Sequence, residues 1–327
     1  MTKTDKTKYL VVKGKGGMGN RMLCAVTGIL YGLLTDRNIV VDWRDIAYSN
    51  DGSNTFSRFF VCADVFSENV LPDNPDISPN IWAGNLHKSM SEMLHEYDPD
   101  KHSSITIHRK YSIDINKLDY DEDVVVFWYY TGRIKALKKY LSDKYDDFAK
   151  LDENGIIRKV LTEKMILNED IRRRIEQFKA EHKADKVIGV HIRYTDRKTD
   201  LDKYEKYLGH FLKQCPDSHI FLATDNQQVS EDYRKRYKNV FSTHKWYPQG
   251  ATSMHQNDCC PDKIENGIEA LVDMYLLAQC SCLIYSGYST FSLISQILSD
   301  APSENIIDID RFNITVRLKK LIRELIA

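Results

Sequence analysis

Four segments place chemically capable side chains directly after short apolar runs. In Gly14-Lys-Gly-Gly-Met-Gly-Asn-Arg21 the glycines follow Tyr9–Val12 and precede a helical pattern. Glycines there let backbone approach a ligand closely, and the helix start offers free N–H groups at a positive dipole end. The segment is neither a Walker A sequence nor a strict GxGxxG, and a tight turn that only saves space explains it equally well. In His191-Ile-Arg193-Tyr-Thr-Asp196-Arg197 the strand period of two puts His191 and Arg193 on one side. An arginine so placed can fork onto a diphosphate and neutralise a leaving group; paired with Asp196, it would merely close the loop. Thr224-Asp225-Asn226 again follows an apolar run, with helix N-capping as its plain alternative. Ser286-Gly-Tyr-Ser289-Thr290-Phe-Ser292 sets hydroxyls and amides before a helix, which suits phosphate binding, although N-caps need no ligand. Upstream, Asp273 interrupts the apolar run Ala270–Leu277. A carboxylate there needs a partner, either a paired donor edge such as guanine's or a structural cation.

The elements that would position these residues are legible in periodicity. Tyr9–Val12 reads as a strand. Met22, Leu23, Val26, Ile29, Leu30, Leu33 and Leu34 mark one helical face, and Ile39–Asp42 reads as the next strand, giving a βαβ unit. Residues 49–123, with Pro72, Pro75, Pro79 and Pro99, show no clear period and read as loops and short helices before a strand at Val124–Tyr129. From Asn168 onward helices alternate with strands at 186–193, 219–223, 240–241, 282–285 and 306–309. That alternation predicts a parallel, doubly wound α/β sheet with ligands at the strand C-terminal ends. A last helix, Ile314–Ile326, aligns Ile314, Leu318, Leu321, Ile322 and Leu325 on a face expected to pack. The domain boundary is expected between Ser142 and Asn168, giving domains 1–155 and 156–327.

Composition excludes several classes. The chain has 327 residues, 46 Lys+Arg against 47 Asp+Glu, 42% apolar and 28% charged residues, which is globular and not disordered. A formal net charge of −1 argues against a general nucleic-acid binder. No apolar run reaches the ~20 residues of a membrane span, and the first residues lack a signal-peptide core. Seven cysteines, an odd number, read as reduced thiols of an intracellular chain. The expected location is cytoplasmic, with peripheral association at a membrane left open. The sequence is also read as lacking HExxH, CxxC or a DxD-flanked strand, so no metal is expected. The glycine loop's spacing does not support a nucleotide oxidoreductase.

Taken together and in order, HIRYTD, FLATDN and SGYSTFS resemble the three shared motifs of the α-1,6-, α-1,2- and protein O-fucosyltransferases. The stretch from Gly16 to Arg44 is similar to the nodulation-factor (chitooligosaccharide) fucosyltransferases and their animal core α-1,6 relatives. The resemblance spans the first ~45 residues and about 185 to 300, and the pairing of HxRxTD with a later ATD is its most specific part. It implies a GT-B fold, two Rossmann-like domains facing across a cleft, the first on the acceptor side and the second binding the GDP-sugar. It further implies metal-independent, inverting transfer of L-fucose from GDP-β-L-fucose to an oligosaccharide or glycoconjugate, with no cofactor. Carried onto this chain, Arg193 would hold the diphosphate, and Asp273 with His191 would meet guanine. Asp225, Ser286, Ser289 and Thr290 would line the donor site, Gly16, Gly17 and Gly19 would close over it, and Asn20 and Arg21 would face the cleft. The family's base is a glutamate shortly after the arginine motif; here that segment is one residue shorter, and Asp200, then Asp202, stands in its place. A transferase using another GDP-sugar and a non-catalytic GDP-sugar or glycan binder are the alternatives. GDP release with an acceptor distinguishes an enzyme from a binder.

Overall fold

The computed structural model describes residues 7–66, 71–101, 106–248, 250 and 254–326. It comprises two compact units, one closing at Leu167 and including the end of the C-terminal helix, the other running from Asn168 to Leu321. The division falls later than residue 155 because Ile166–Leu167 pairs antiparallel with Phe60–Val61, which ties that segment to the first unit.

In the first unit β1 (Tyr9–Lys13), α1 (Met18–Thr35) and β2 (Asn38–Asp42) form the expected βαβ unit. With β3 (Ile77–Ser78) and β4 (Val124–Phe127) they make a parallel sheet of order β2-β1-β4-β3. One apolar face is predicted for α1, yet the helix is buried on nearly every side from Met18 to Gly32. A side chain at Gly28 or Gly32 would run into Val12 or Ile39, so the helix backbone lies directly on strand side chains.

The segment between β2 and β4 is held by long-range polar contacts instead of a period. Buried Lys13 donates to Asp42 (2.6 Å), to the Leu86 carbonyl (2.5 Å) and to the Lys88 carbonyl (2.9 Å). Burial pushes its ammonium below the ordinary lysine value, against the pull of Asp42. Two of its three protons thereby tie this segment to the end of β1, and the third pairs with β2.

In the second unit α2 (Glu169–Glu181) leads into β5 (Val187–Ile192), followed by α3 (Leu201–Gln214), β6 (His219–Thr224), α4 (Gln227–Arg236) and β7 (Val240–Phe241). The chain then returns through α5 (Lys263–Ala278) to β8 (Cys282–Tyr285), α6 (Thr290–Leu298), β9 (Ile306–Asp308) and α7 (Ile314–Ile326). The sheet order is β9-β8-β5-β6-β7, all pairs parallel, as the alternation predicts. Tyr204, Leu208 and Phe211 of α3 share one face and bury among Ile188, Val190 and Ile220. Each such side chain stabilises the unit by about 1.5–3 kcal/mol. Strand order reverses between β5 and β8, the switch point where loops diverge and leave a crevice.

Cys280 is a core residue: its thiol lies against the Leu276 carbonyl at 3.3 Å, and burial pushes its pKa up. The apolar face of α7 does not pack as expected, since Ile314 is 79% and Leu318 54% exposed; Leu325 lies outside the described side chains. No helix among the described residues is long and apolar enough to cross a membrane.

Candidate active site

The loops after β5 and β8, with the chain after β9, enclose a cavity of about 340 Å³ at the switch point. The β5 loop and the start of α3 contribute Arg193, Arg197, Lys198, Thr199, Asp200 and Lys203; the β8 loop contributes Ser286, Tyr288 and Ser289. Asp310, Asn313 and Val316 close the third side. Four cationic side chains against two carboxylates make this an anion-attracting site. A larger cavity of about 820 Å³, around Phe178, Lys186, Cys215 and Phe241, lies at the starts of the same strands and gathers none of the sequence-predicted residues. The smaller cavity is therefore the candidate site, because parallel sheets present their divergent loops at the other edge.

Arg193 is at this site and is already engaged. Its Nε donates to Asp196 Oδ1 at 2.7 Å, and Nη2 donates to Oδ2. Burial alone would raise the Asp196 carboxyl, but the Arg193 hydrogen bond and charge hold it below its ordinary value. Arg193 thus lines the cavity while forming the loop-closing pair with Asp196. Asp200 is exposed in the cavity at the N-terminus of α3, with Lys203 Nζ 3.8 Å away. Asp202 is exposed outside the cavity lining.

The hydroxyl loop is set by the carboxylates that follow β9. Ser286 Oγ donates to Asp310, and Asp308 Oδ1 accepts the Gly287 N–H at 2.7 Å and the Asp310 N–H at 2.9 Å. Asp308-Ile-Asp310 is thus a DxD at a strand end, contrary to the sequence reading, with both carboxylates committed to loop contacts. Ser289 caps the start of α6 without a side-chain hydrogen bond to the helix, so that end keeps N–H donors beside the cavity. Thr290, the first residue of α6, is half-buried and outside the lining.

Three predicted donor residues face elsewhere. His191 is buried and stacks on Phe291 at 4.7 Å; burial, with the charges of Arg193 and Lys245, takes its pKa down to about 3. Its Nδ1 has no hydrogen-bond partner among the described residues. Asp273 is buried, one oxygen accepting from Thr243 Oγ1 at 2.6 Å and the other paired with Lys245 Nζ. Asp225 accepts the backbone N–H groups of Tyr194 (2.7 Å) and Thr195 (3.1 Å), bracing the β5 loop from the β6 end. Asn226 takes the N-cap role, accepting from Val229 N at 3.0 Å. A polar residue after a strand turns inward when the neighbouring loop supplies its partner, which spacing alone does not reveal.

In the first unit Gly16 adopts φ +80°, a conformation that glycine accepts without strain. Gly17 precedes α1 with no side-chain cap, and Gly19 is buried in its first turn. Asn20 is half-buried, its backbone N–H bonded to the Gly17 carbonyl at 3.0 Å. Arg21 does not face open space. It is fully buried, paired with Asp45, and donates to the Gly16 carbonyl at 2.9 Å, holding the glycine loop from inside. Sequence reasoning missed Asp45, Arg197, Lys203, Tyr288, Asp308 and Asp310. Only the DxD after a strand offered a signal for the last two.

The family model for nodulation protein Z (NodZ) matches residues 151–318, over half the chain and nearly all of the second unit. The chain belongs to the NodZ fucosyltransferase family. A xyloglucan fucosyltransferase model matches residues 2–127. Nodulation protein Z of Azorhizobium caulinodans is 24% identical over 333 aligned positions, covering 93% of this chain and 92% of that protein. Among solved structures, NodZ α-1,6-fucosyltransferase soaked with GDP-fucose is 21% identical with a TM-score of 0.61, covering 95% of this chain and 97% of that one. NodZ from Bradyrhizobium is 22% identical with a TM-score of 0.60, covering 94% and 97%. These likenesses carry the fold: like other NodZ proteins, the chain is an α/β protein of GT-B class with Rossmann-like units.

Proposed function

We propose that this NodZ-family chain transfers L-fucose from GDP-β-L-fucose to a hydroxyl of a glycan or glycoconjugate, with inversion and without a metal. The observation that carries the reading is the cationic cavity at the β5/β8 switch point, with an uncapped helix start and one exposed carboxylate inside it. Charge builds on the departing diphosphate in the transition state, so fixed arginine, lysine and amide donors act most strongly at that moment. Arg193 and the Ser286–Ser289 loop are assigned to the diphosphate, and Asp200 to the acceptor proton as the new glycosidic bond forms. The uncapped start of α1, behind Gly16 and Gly17, is assigned to a substrate oxygen. GDP or GDP-fucose is named with NodZ structures of this fold, which supports the choice of nucleotide.

The deciding experiment combines binding with turnover. GDP is expected to raise the melting temperature while UDP and ADP do not, and EDTA is expected to leave GDP release from GDP-fucose plus acceptor intact. The product's anomeric configuration, read by NMR, is expected to be α. Equal shifts with UDP overturn the guanine assignment, and activity lost to EDTA and restored by Mn²⁺ overturns the metal-free chemistry.

A further inference from the structure

The helix α7 has two unlike faces. Asn313 Oδ1 accepts the Val316 N–H at 3.3 Å and starts the helix, and both residues line the cavity at the switch point. Lys319, one turn beyond Val316, lies 5.8 Å from the Tyr288 ring of the same cavity. Ile314, Leu318 and Leu321 recur at i, i+4 and i+7 and so fall on the opposite side of the helix. They are 79%, 54% and 51% exposed, and Phe312, just before the helix, is 79% exposed. An apolar stripe with a polar rim marks an interaction surface.

The rim is cationic. Residues 311–327 carry five Lys and Arg against one Glu, whereas the whole chain has a net charge of −1. Arg311 lies with its guanidinium carbon 5.7 Å over the Phe312 ring. Arg317 is exposed and flanks the stripe, three residues from Ile314 and four from Leu321. Among the described residues neither arginine is paired with a carboxylate. A second copy of this chain fits such a face poorly, because its own cations would meet each other. Three aliphatic side chains and one ring also fall short of the ~800 Å² per partner that a stable protein interface buries. An anionic lipid surface satisfies both halves of the pattern, taking the apolar stripe between its chains and the cations at its phosphates. With 13 residues α7 is too short for a span, which takes about 20, so it would lie in the plane of the interface.

We propose that α7 docks this protein on an anionic membrane surface, with Ile314, Leu318 and Leu321 sunk at headgroup level and Arg311 and Arg317 on lipid phosphates. The face that closes the cavity then stays turned toward the protein, one helix diameter, ~10 Å, from the lipid. The inference holds whatever the cavity binds.

The test is flotation of the full chain with phosphatidylcholine vesicles, alone or with about 30% phosphatidylglycerol. Binding is expected to be at least about tenfold tighter on the anionic vesicles at low salt, and to weaken as NaCl rises and screens the exposed charges. Leu318→Gln with Leu321→Gln is expected to weaken it about tenfold or more, with melting temperature and GDP affinity unchanged. Arg311→Gln with Arg317→Gln is expected to lose most of the preference for phosphatidylglycerol, which keeps the test decisive should the leucine variant fold poorly. Wild-type binding in both variants, or no wild-type binding to the anionic vesicles, overturns the inference. So does a concentration-dependent dimer in analytical ultracentrifugation that dissociates in the leucine variant, since the face then belongs to a second copy.

Discussion

The carboxylate of Asp308 sits directly against Gly287, accepting its N–H at 2.7 Å and leaving no room for a side chain there. A Cβ at Gly287 would lie 2.7 Å from Asp308 Cγ. The loop after β8 therefore takes its shape from the strand beside it, and its hydroxyls reach the cavity only while that contact holds.

Gly287→Ala forces the loop off the Asp308 carboxylate. Overpacking of this kind costs about 1–3 kcal/mol, or several degrees in melting temperature. GDP affinity is expected to fall at least tenfold as Ser286 and Ser289 shift. Gly209→Ala serves as the control: nothing lies within 4 Å of its added methyl in α3, so it should stabilise by about 0.5–1 kcal/mol and leave binding unchanged. Normal GDP affinity in Gly287→Ala would remove this loop from the donor site.

His191 makes a pH prediction. Burial first, then the charges of Arg193 and Lys245, takes its folded pKa to about 3, against 6.5 as the ordinary value. Between those values the unfolded chain binds a proton that the folded chain does not, so stability falls as pH drops through that window. One group contributes about 1.4 kcal/mol per pH unit at full effect. His191→Phe keeps the stack on Phe291 and removes the proton. In urea titrations its stability relative to wild type should improve by about 2 kcal/mol between pH 7.5 and 4.5. An unchanged difference would mean that the imidazole is not held neutral.

How far this was legible from sequence follows from which contacts are local. Strands and helices of the second unit repeat with regular periods, so β5 to β9 and the edge bearing the loops could be read directly. The segment between β2 and β4 could not, because its anchor is Lys13, over seventy residues from the carbonyls it holds. Position at a strand end identified Arg193, Ser286 and Ser289 as cavity residues, and the family resemblance added Asp200. His191 and Asp225, also near strand ends, and Asp273, inside α5, meet Phe291, Tyr194 and Lys245 from other loops or elements. Arg21 sits in a glycine segment that looks ligand-facing, and only Asp45 explains its inward turn. Arg197 was given no role because its neighbour across the cavity, the Tyr288 ring at 4.5 Å, lies about ninety residues on, and no spacing links them.

Asp273 separates stability from recognition. Removing one member of a buried ion pair leaves an uncompensated charge, at a cost of about 3–5 kcal/mol. Asp273→Ala should therefore lower the melting temperature by about 10 °C or more, since Lys245 Nζ and Thr243 Oγ1 lose their acceptor. The double variant Asp273→Leu with Lys245→Met should recover most of that loss, as paired apolar replacements do. If the double variant is stable but binds GDP at least tenfold more weakly, the carboxylate also serves the guanine. If it binds GDP normally, the ion pair is structural alone.

The last prediction concerns the proton acceptor. Asp200 and Asp202 are two residues apart at the start of α3, where a helical turn sends their side chains in different directions. Asp200 lines the cavity beside Arg193 and Ser289; Asp202 does not. A base must come within hydrogen-bond reach of the hydroxyl it deprotonates, so geometry favours Asp200 before any consideration of acidity. Asp200→Asn keeps the shape and removes the acceptor, and should lower kcat by about 10²-fold or more with GDP affinity near wild type. Asp202→Asn should leave both unchanged. Measuring the two variants side by side guards against loop motion, because an aspartate reaches one methylene less far than a glutamate and the loop must supply the difference. Loss of kcat in Asp202→Asn alone would make Asp202 the base. Full kcat in both would mean that no carboxylate of this loop takes the proton, and that the shorter segment has passed the role to a residue outside it.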